Sequence, residues 1–165
     1  MNETYAECMI KRKPNAVMKV LKYVMFMLAG FFILIGFLGV ILSLIIGVIV
    51  LIAAYFVSLN SEIEYEYLYV DRQLTIDKIM NRSRRKRVAK YDLERMEILA
   101  PFNSYRLDSY KNRTPKIVDY SSGTINQPDT RFLMFIDGTQ KVIFEPNQEM
   151  IKAISMIAPR KVFKD

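Results

Sequence analysis

From Tyr23 to Asn60 hydrophobic residues run without a single charged side chain, and this block is the dominant pattern in the chain. A bilayer core of about 30 Å is crossed by roughly 20 helical residues, so a block this long is excessive for one span and fits two. The expected hairpin has one helix from Met18 to Phe37 and a second from Val40 to Leu59, with Gly36 and Gly39 marking the turn. One long tilted helix is the alternative, although tilt seldom absorbs a mismatch on this scale. A cleaved signal peptide fits less well, because its apolar region is only about 7–15 residues and ends in a small-residue cleavage site.

After the block the period changes to two. Ile63, Tyr65, Tyr67 and Tyr69 alternate with Glu62, Glu64, Glu66 and Leu68, which predicts a half-buried strand. Asp71, Arg72 and Gln73 form a polar turn, and Leu74 to Ile79 read as the antiparallel return. Val88 to Tyr91 and Glu94 to Leu99 predict two further strands joined through Asp92 and Leu93, with Pro101 ending the second. The stretch 102–130 is rich in Asn, Ser, Asp, Gly and Pro, with strand candidates at Tyr105–Tyr110 and Lys116–Tyr120. A structureless loop of that length is unusual in a small domain, so at least one strand is expected there. Arg131–Ile136, the Asp137–Gly138 pair and Lys141–Glu145 predict a tight hairpin. Pro146 and Asn147 then offer a helix start, and Met150, Ile151, Ile154 and Ile157 fall at helical spacing until Pro159.

Charge adds orientation. Lys11, Arg12, Lys13, Lys19 and Lys22 precede the apolar block, and Arg72, Lys78 and the run from Arg82 follow it. Basic flanks stay on the cytoplasmic side, and only an even number of spans leaves both inside. A receptor ectodomain is thereby excluded, since the external connection is a few apolar residues around Phe37 to Gly39. The net charge of +7 is explained by anionic lipid beside the spans, where each juxtamembrane cation gains about 1 kcal/mol.

Candidate chemistry is sparse. The lone cysteine, Cys8, rules out an internal disulfide framework and reads as a reduced thiol. With no histidine, the usual zinc and haem ligand sets cannot be assembled, so no metal or cofactor is expected. Ser121 and Ser122 have no histidine to activate them and read as turn residues. Between Tyr23 and Leu59 there is no Asp, Glu, Lys, Arg or His, so a proton or ion path has almost nothing to run on. Catalysis is not expected.

The most distinctive polar feature is the run Arg82, Ser83, Arg84, Arg85, Lys86, Arg87, five cations in six residues between predicted strands. Such a cluster repels itself and gains most where an anionic surface neutralises it. These five residues are the candidate contact for anionic lipid or a protein partner; a solvated loop that only fixes orientation is the plainer alternative. Nucleic acid is disfavoured, since no exposed aromatics or groove-entering helix accompany the run. Glu62, Glu64 and Glu66 form an acidic stripe expected to face solvent, and the tail from Thr4 to Ile10 is either an added edge strand or a frayed segment.

About seven short antiparallel strands and one C-terminal amphipathic helix behind two membrane helices resemble the bacterial pleckstrin-homology-like membrane proteins. Val88, Tyr91, Leu93, Met96, Ile98 and Leu99 are similar to that group's recurring strand, turn and strand, and Val142 to Ile157 to its last strand and helix. Tyr5, Ala6, Glu7 and Cys8 with Lys11 to Lys13, then Tyr55 to Asn60 and Glu64 to Tyr69, also resemble a small bacterial two-span membrane-protein family of unknown function. The resemblance implies a partly open antiparallel β-barrel or sandwich plugged by the helix and serving as a docking platform. The basic residues of eukaryotic lipid-binding members lie in the first strand connection, here Asp71, Arg72 and Gln73, so specific phosphoinositide recognition does not follow.

The expected architecture is a cytoplasmic tail at 1–17, a membrane α-helical hairpin at 18–59, and an α+β cytoplasmic domain at 60–165. It sits in the cell membrane with both termini inside, as a non-catalytic interaction module raised in local concentration by its tether. The rival reading is an accessory scaffold subunit of a membrane enzyme or transporter complex. Gly30, Gly36, Gly39, Ser43 and Gly47 would serve either a homo-oligomer or the hairpin's own packing.

Overall fold

The computed structural model describes residues 5–110 and 112–164, so Thr4 of the tail lies outside the described residues. Residues 13–63 with 79–85 form one compact unit and the rest of the chain forms another.

In the first unit, Asn15 caps α1 (Ala16–Phe37) by accepting a hydrogen bond from Val17 N at 3.0 Å. Gly39, at φ +103°, makes the reversal that lets α2 (Ile41–Ser61) return. Both helices exceed the expected limits by two residues at their outer ends, and both are long and apolar enough to cross a membrane. Their seam is built from small residues: Ala29 and Gly36 on α1, Ser43, Gly47, Ala54 and Ser58 on α2, all buried. Ser43 Oγ donates to Phe32 O at 2.8 Å across it. Of the glycines and serine left open above, Gly36, Ser43 and Gly47 are consumed in the hairpin, whereas Gly30 has nothing within 4 Å.

The second unit is built on two four-stranded sheets. The tail supplies β1 (Ala6–Lys11), antiparallel to β2 (Ile63–Val70), so the segment left as strand or frayed tail is an edge strand. β3 (Gln73–Met80) and β4 (Arg84–Asp92) complete the order β1-β2-β3-β4. The second sheet runs β5-β7-β8-β6, from β5 (Met96–Pro101), β6 (Lys116–Asp119), β7 (Phe132–Ile136) and β8 (Gln140–Phe144). Asp137 and Gly138 take φ values of 55° and 64°, as a tight Asp-Gly hairpin demands. α3 (Gln148–Ile157), capped by Asn147 Oδ1 on Met150 N at 2.8 Å, buries Met150, Ile151, Ala153 and Ile154.

The two sheets do not close into a barrel, in keeping with the expected partly open barrel or sandwich. Several other expectations change. β6 pairs parallel with β8, because the long excursion before it frees it from hairpin geometry. Tyr105–Tyr110 is a 3-10 helix rather than a strand: Leu107 and Tyr110 are three apart, Leu107 is buried, and the Tyr110 ring lies 4.6 Å from Phe135. β4 starts four residues earlier than its apolar pattern. Its leading cations are exposed, so no alternation announced them. Glu66 is buried, only 8% exposed, rather than facing solvent, and Glu64 stands directly opposite Lys11 of β1.

The sheets are tied through Tyr67. Its hydroxyl donates to Tyr120 O at 2.6 Å and accepts from Glu145 N at 3.4 Å, while its ring meets Phe144 edge-on at 5.5 Å. The chain's last turn covers the β5 edge: Leu99 N donates to Lys161 O and Phe163 N to Leu99 O, both at 2.8 Å.

Candidate functional site

The basic run begins in a turn and continues as a strand. Asn81 and Arg82 adopt φ of 47° and 53°, the left-handed region that L-residues enter at about 1–2 kcal/mol unless the side chain is short and polar. Asn81 fits that exception and Arg82 does not. Ser83 N donates to Met80 O at 3.1 Å to close the turn, and Arg84, Arg85, Lys86 and Arg87 open β4. All five cations are exposed. Pleating sends Arg84 and Lys86 to one face and Arg85 and Arg87 to the other, so the run presents cations on both faces of the strand. Arg87 Nε lies 3.6 Å from Asp77 Oδ1, an ion pair too long for a hydrogen bond.

One backbone bond positions the turn. Asn81 N donates at 2.8 Å to the carbonyl of Glu62, the residue that caps the C-terminus of α2. Arg82, Arg84 and Arg85 are thereby held at that end of the apolar hairpin. The antiparallel contacts Gly36 to Leu44 and Gly47 to Ile33 carry the start of α1 to the same end, with Lys13, Lys19 and Lys22. Within this unit those six cations face one acidic residue, Glu62. A helix C-terminus also favours cations, which offsets part of their mutual repulsion. The arrangement forms a positive collar at one end of an uncharged rod. Guanidinium groups placed so can take phosphate oxygens two at a time. The residues were legible in sequence; the Asn81–Glu62 bond was not, since it involves only backbone atoms. The signal available was Asn81 itself, a residue that tolerates the left-handed turn.

The other polar groups are structural in their contacts. Ser122 Oγ donates to the buried Glu145 Oε1 at 2.7 Å and its N–H donates to the same oxygen at 2.9 Å. Ser121 Oγ accepts from Gly123 N, and Ser121 N donates to Asp119 Oδ1, so both serines shape the turn after β6. Cys8 is a free cysteine whose pKa is pushed up by burial, which holds it as the thiol. Arg131 grips Asp129 through Nε at 2.9 Å and a second nitrogen at 2.6 Å, and these bonds hold the Asp129 carboxyl below its ordinary pKa. Among the described residues no three His, Cys, Asp or Glu side chains are grouped to hold a metal ion.

Two β-sheets with a C-terminal helix, joined to a pair of long apolar helices, define a PH-like module carrying two candidate membrane helices. The family described as Bacterial PH-like domain (DUF6106) matches residues 2–164, and the chain belongs to it. Neither a curated protein nor a solved structure matches the chain.

Proposed function

We propose that this protein is a two-span integral membrane protein of the cell membrane, both termini cytoplasmic, whose PH-like domain is a non-catalytic interaction module engaging anionic lipid headgroups. The contact is made by Arg82, Arg84, Arg85, Lys86 and Arg87. What supports this reading is the Asn81–Glu62 hydrogen bond, which anchors the basic turn at the outer end of α2. If α2 spans the bilayer, that end emerges at headgroup level, where each cation gains about 1 kcal/mol from an anionic leaflet. Retention of a bulky arginine at φ +53° is understandable if its charge is used.

The test requires the full chain, because a fragment beginning after α2 lacks β1, a strand of the first sheet. The protein is reconstituted in nanodiscs of mixed neutral and anionic phospholipid, and the retained lipids are counted by native mass spectrometry. Wild type should enrich anionic lipid over the bulk mixture, and a variant with all five cations replaced by glutamine should lose the enrichment. Equal lipid composition around both proteins would refute the headgroup contact. Added RNA or DNA should not displace the lipid.

A further inference from the structure

A second surface, built wholly within the β-sheet unit, carries different chemistry from the collar. Between the ends of β5 and β7 and the first turns of α3 lies a groove of about 560 Å³. Pro101, Pro128 and Pro146 form its walls with Phe132 and Ile151. Proline has fixed φ and no N–H, so these three residues stiffen the walls and offer no backbone donor of their own. A preformed apolar groove binds without first having to be ordered, which removes one of the main costs of association. Its apolar lining is suited to a large hydrophobic side chain.

The electrostatics of the groove select the occupant. Asp129 is the lone carboxylate in the lining, and Arg131 already holds both its oxygens. Lys152 of α3 and Lys164 also line the groove, are exposed, and form no ion pair among the described residues. The groove therefore combines an apolar floor with two lysines that no carboxylate among the described residues pairs. A lipid headgroup would satisfy the lysines but leave the apolar floor empty. An acidic peptide satisfies both, by burying an apolar residue and setting neighbouring carboxylates against the two lysines.

We infer that the groove of Pro101, Pro128, Phe132, Pro146 and Ile151 docks a short acidic segment of a partner protein, with a large apolar residue as its anchor and Lys152 and Lys164 taking its carboxylates. The partner's segment lies in the compartment that holds the domain. This surface shares no residue with the collar.

The test uses the full chain in nanodiscs of neutral lipid and a synthetic library of short randomised peptides, followed by fluorescence anisotropy on those enriched. Enriched peptides should share a large apolar residue beside Asp or Glu. Binding should fall about tenfold in the double variant Lys152→Gln, Lys164→Gln. It should vanish in Gln148→Trp, which fills the groove from an exposed position, and be unchanged in Arg82→Gln, Arg84→Gln, Arg85→Gln. Thermal unfolding of each variant checks that the fold is kept. The proposal is overturned by an absence of enriched peptides, by enrichment indifferent to acidic residues, or by binding that survives both groove variants. It is equally overturned if the groove instead holds a second copy, seen as a cross-linked dimer that Gln148→Trp abolishes. Loss of lipid selectivity in the collar variant leaves it untouched.

Discussion

Substituting Gly36 by leucine is expected to force the helical hairpin apart, while the same change at Gly30 leaves it intact. A Cβ at position 36 would lie 2.5 Å from Leu44 Cβ and 2.9 Å from Leu44 Cα, where carbon atoms need about 3.5–4.0 Å. The second of those atoms is backbone, so no rotamer change relieves the clash and the helices must separate. Overpacking of this kind costs about 1–3 kcal/mol, and leucine in place of alanine adds to it. Gly47 is the next most sensitive position, with Ile33 Cγ1 at 2.8 Å and Ile33 N at 3.0 Å, whereas Gly30 meets nothing. The measurement is disulfide trapping between cysteines placed at Phe32 and Ser43, which are joined across the seam by the bond from the Ser43 hydroxyl to the Phe32 carbonyl, in a background where Cys8 is serine. Trapping should be efficient in Gly30→Leu and largely lost in Gly36→Leu. Equal trapping in the two would show that the seam is not where these contacts put it.

The second large effect is expected at Tyr67, whose side chain is fully buried between the sheets. Tyr67→Phe keeps the ring against Phe144 but removes the donor to the half-buried Tyr120 carbonyl and the acceptor for the buried Glu145 N–H. That loss costs about 1–3 kcal/mol, equivalent to a fall in Tm of roughly 5–15 °C for a domain of this size. Tyr67→Ala removes the ring as well and should cost about 3–5 kcal/mol. Near-ultraviolet circular dichroism of the full chain through a thermal ramp reads both, with exposed Tyr105→Phe as the neutral comparison. Burial pushes the Tyr67 hydroxyl well above its ordinary pKa. In the unfolded chain it ionises near pH 10, and the native state resists that ionisation, so its stabilising contribution is complete below pH 10 and declines as pH rises further. A Tyr67→Phe protein no more sensitive to heat than wild type would mean the sheets are held together elsewhere.

What the chain's pattern disclosed, and what it hid, follows from where the stabilising contacts are. The apolar block, the Asp137–Gly138 hairpin and the stripe Met150, Ile151, Ile154 announce themselves because each buries a periodic face or needs a particular turn residue. The apolar pattern shortens β4 because its first four residues are exposed cations, and period-two alternation exists only where one face is buried. Tyr105–Tyr110 resembles a strand because aromatic residues favour strands, yet here two side chains three apart reach the Phe135 cluster. The parallel β6–β8 pairing and the Glu62–Asn81 bond were invisible, since both depend on backbone groups brought together by the rest of the fold. The five cations of the candidate site were readable; their collection with Lys13, Lys19 and Lys22 at one end of the hairpin required the structure. The groove of three prolines was unreadable, because its walls come from positions 101, 128 and 146.

Orientation tests the account most directly. With Cys8 replaced by serine, single cysteines are placed in turn at Leu38 in the short turn, at Ser83 in the basic turn, at Tyr5 and at Lys164, and intact cells are treated with a membrane-impermeant maleimide. The account predicts labelling at Leu38 alone, with the other three reacting only after the membrane is opened. Labelling at Ser83 or at either end of an unbroken cell would contradict it.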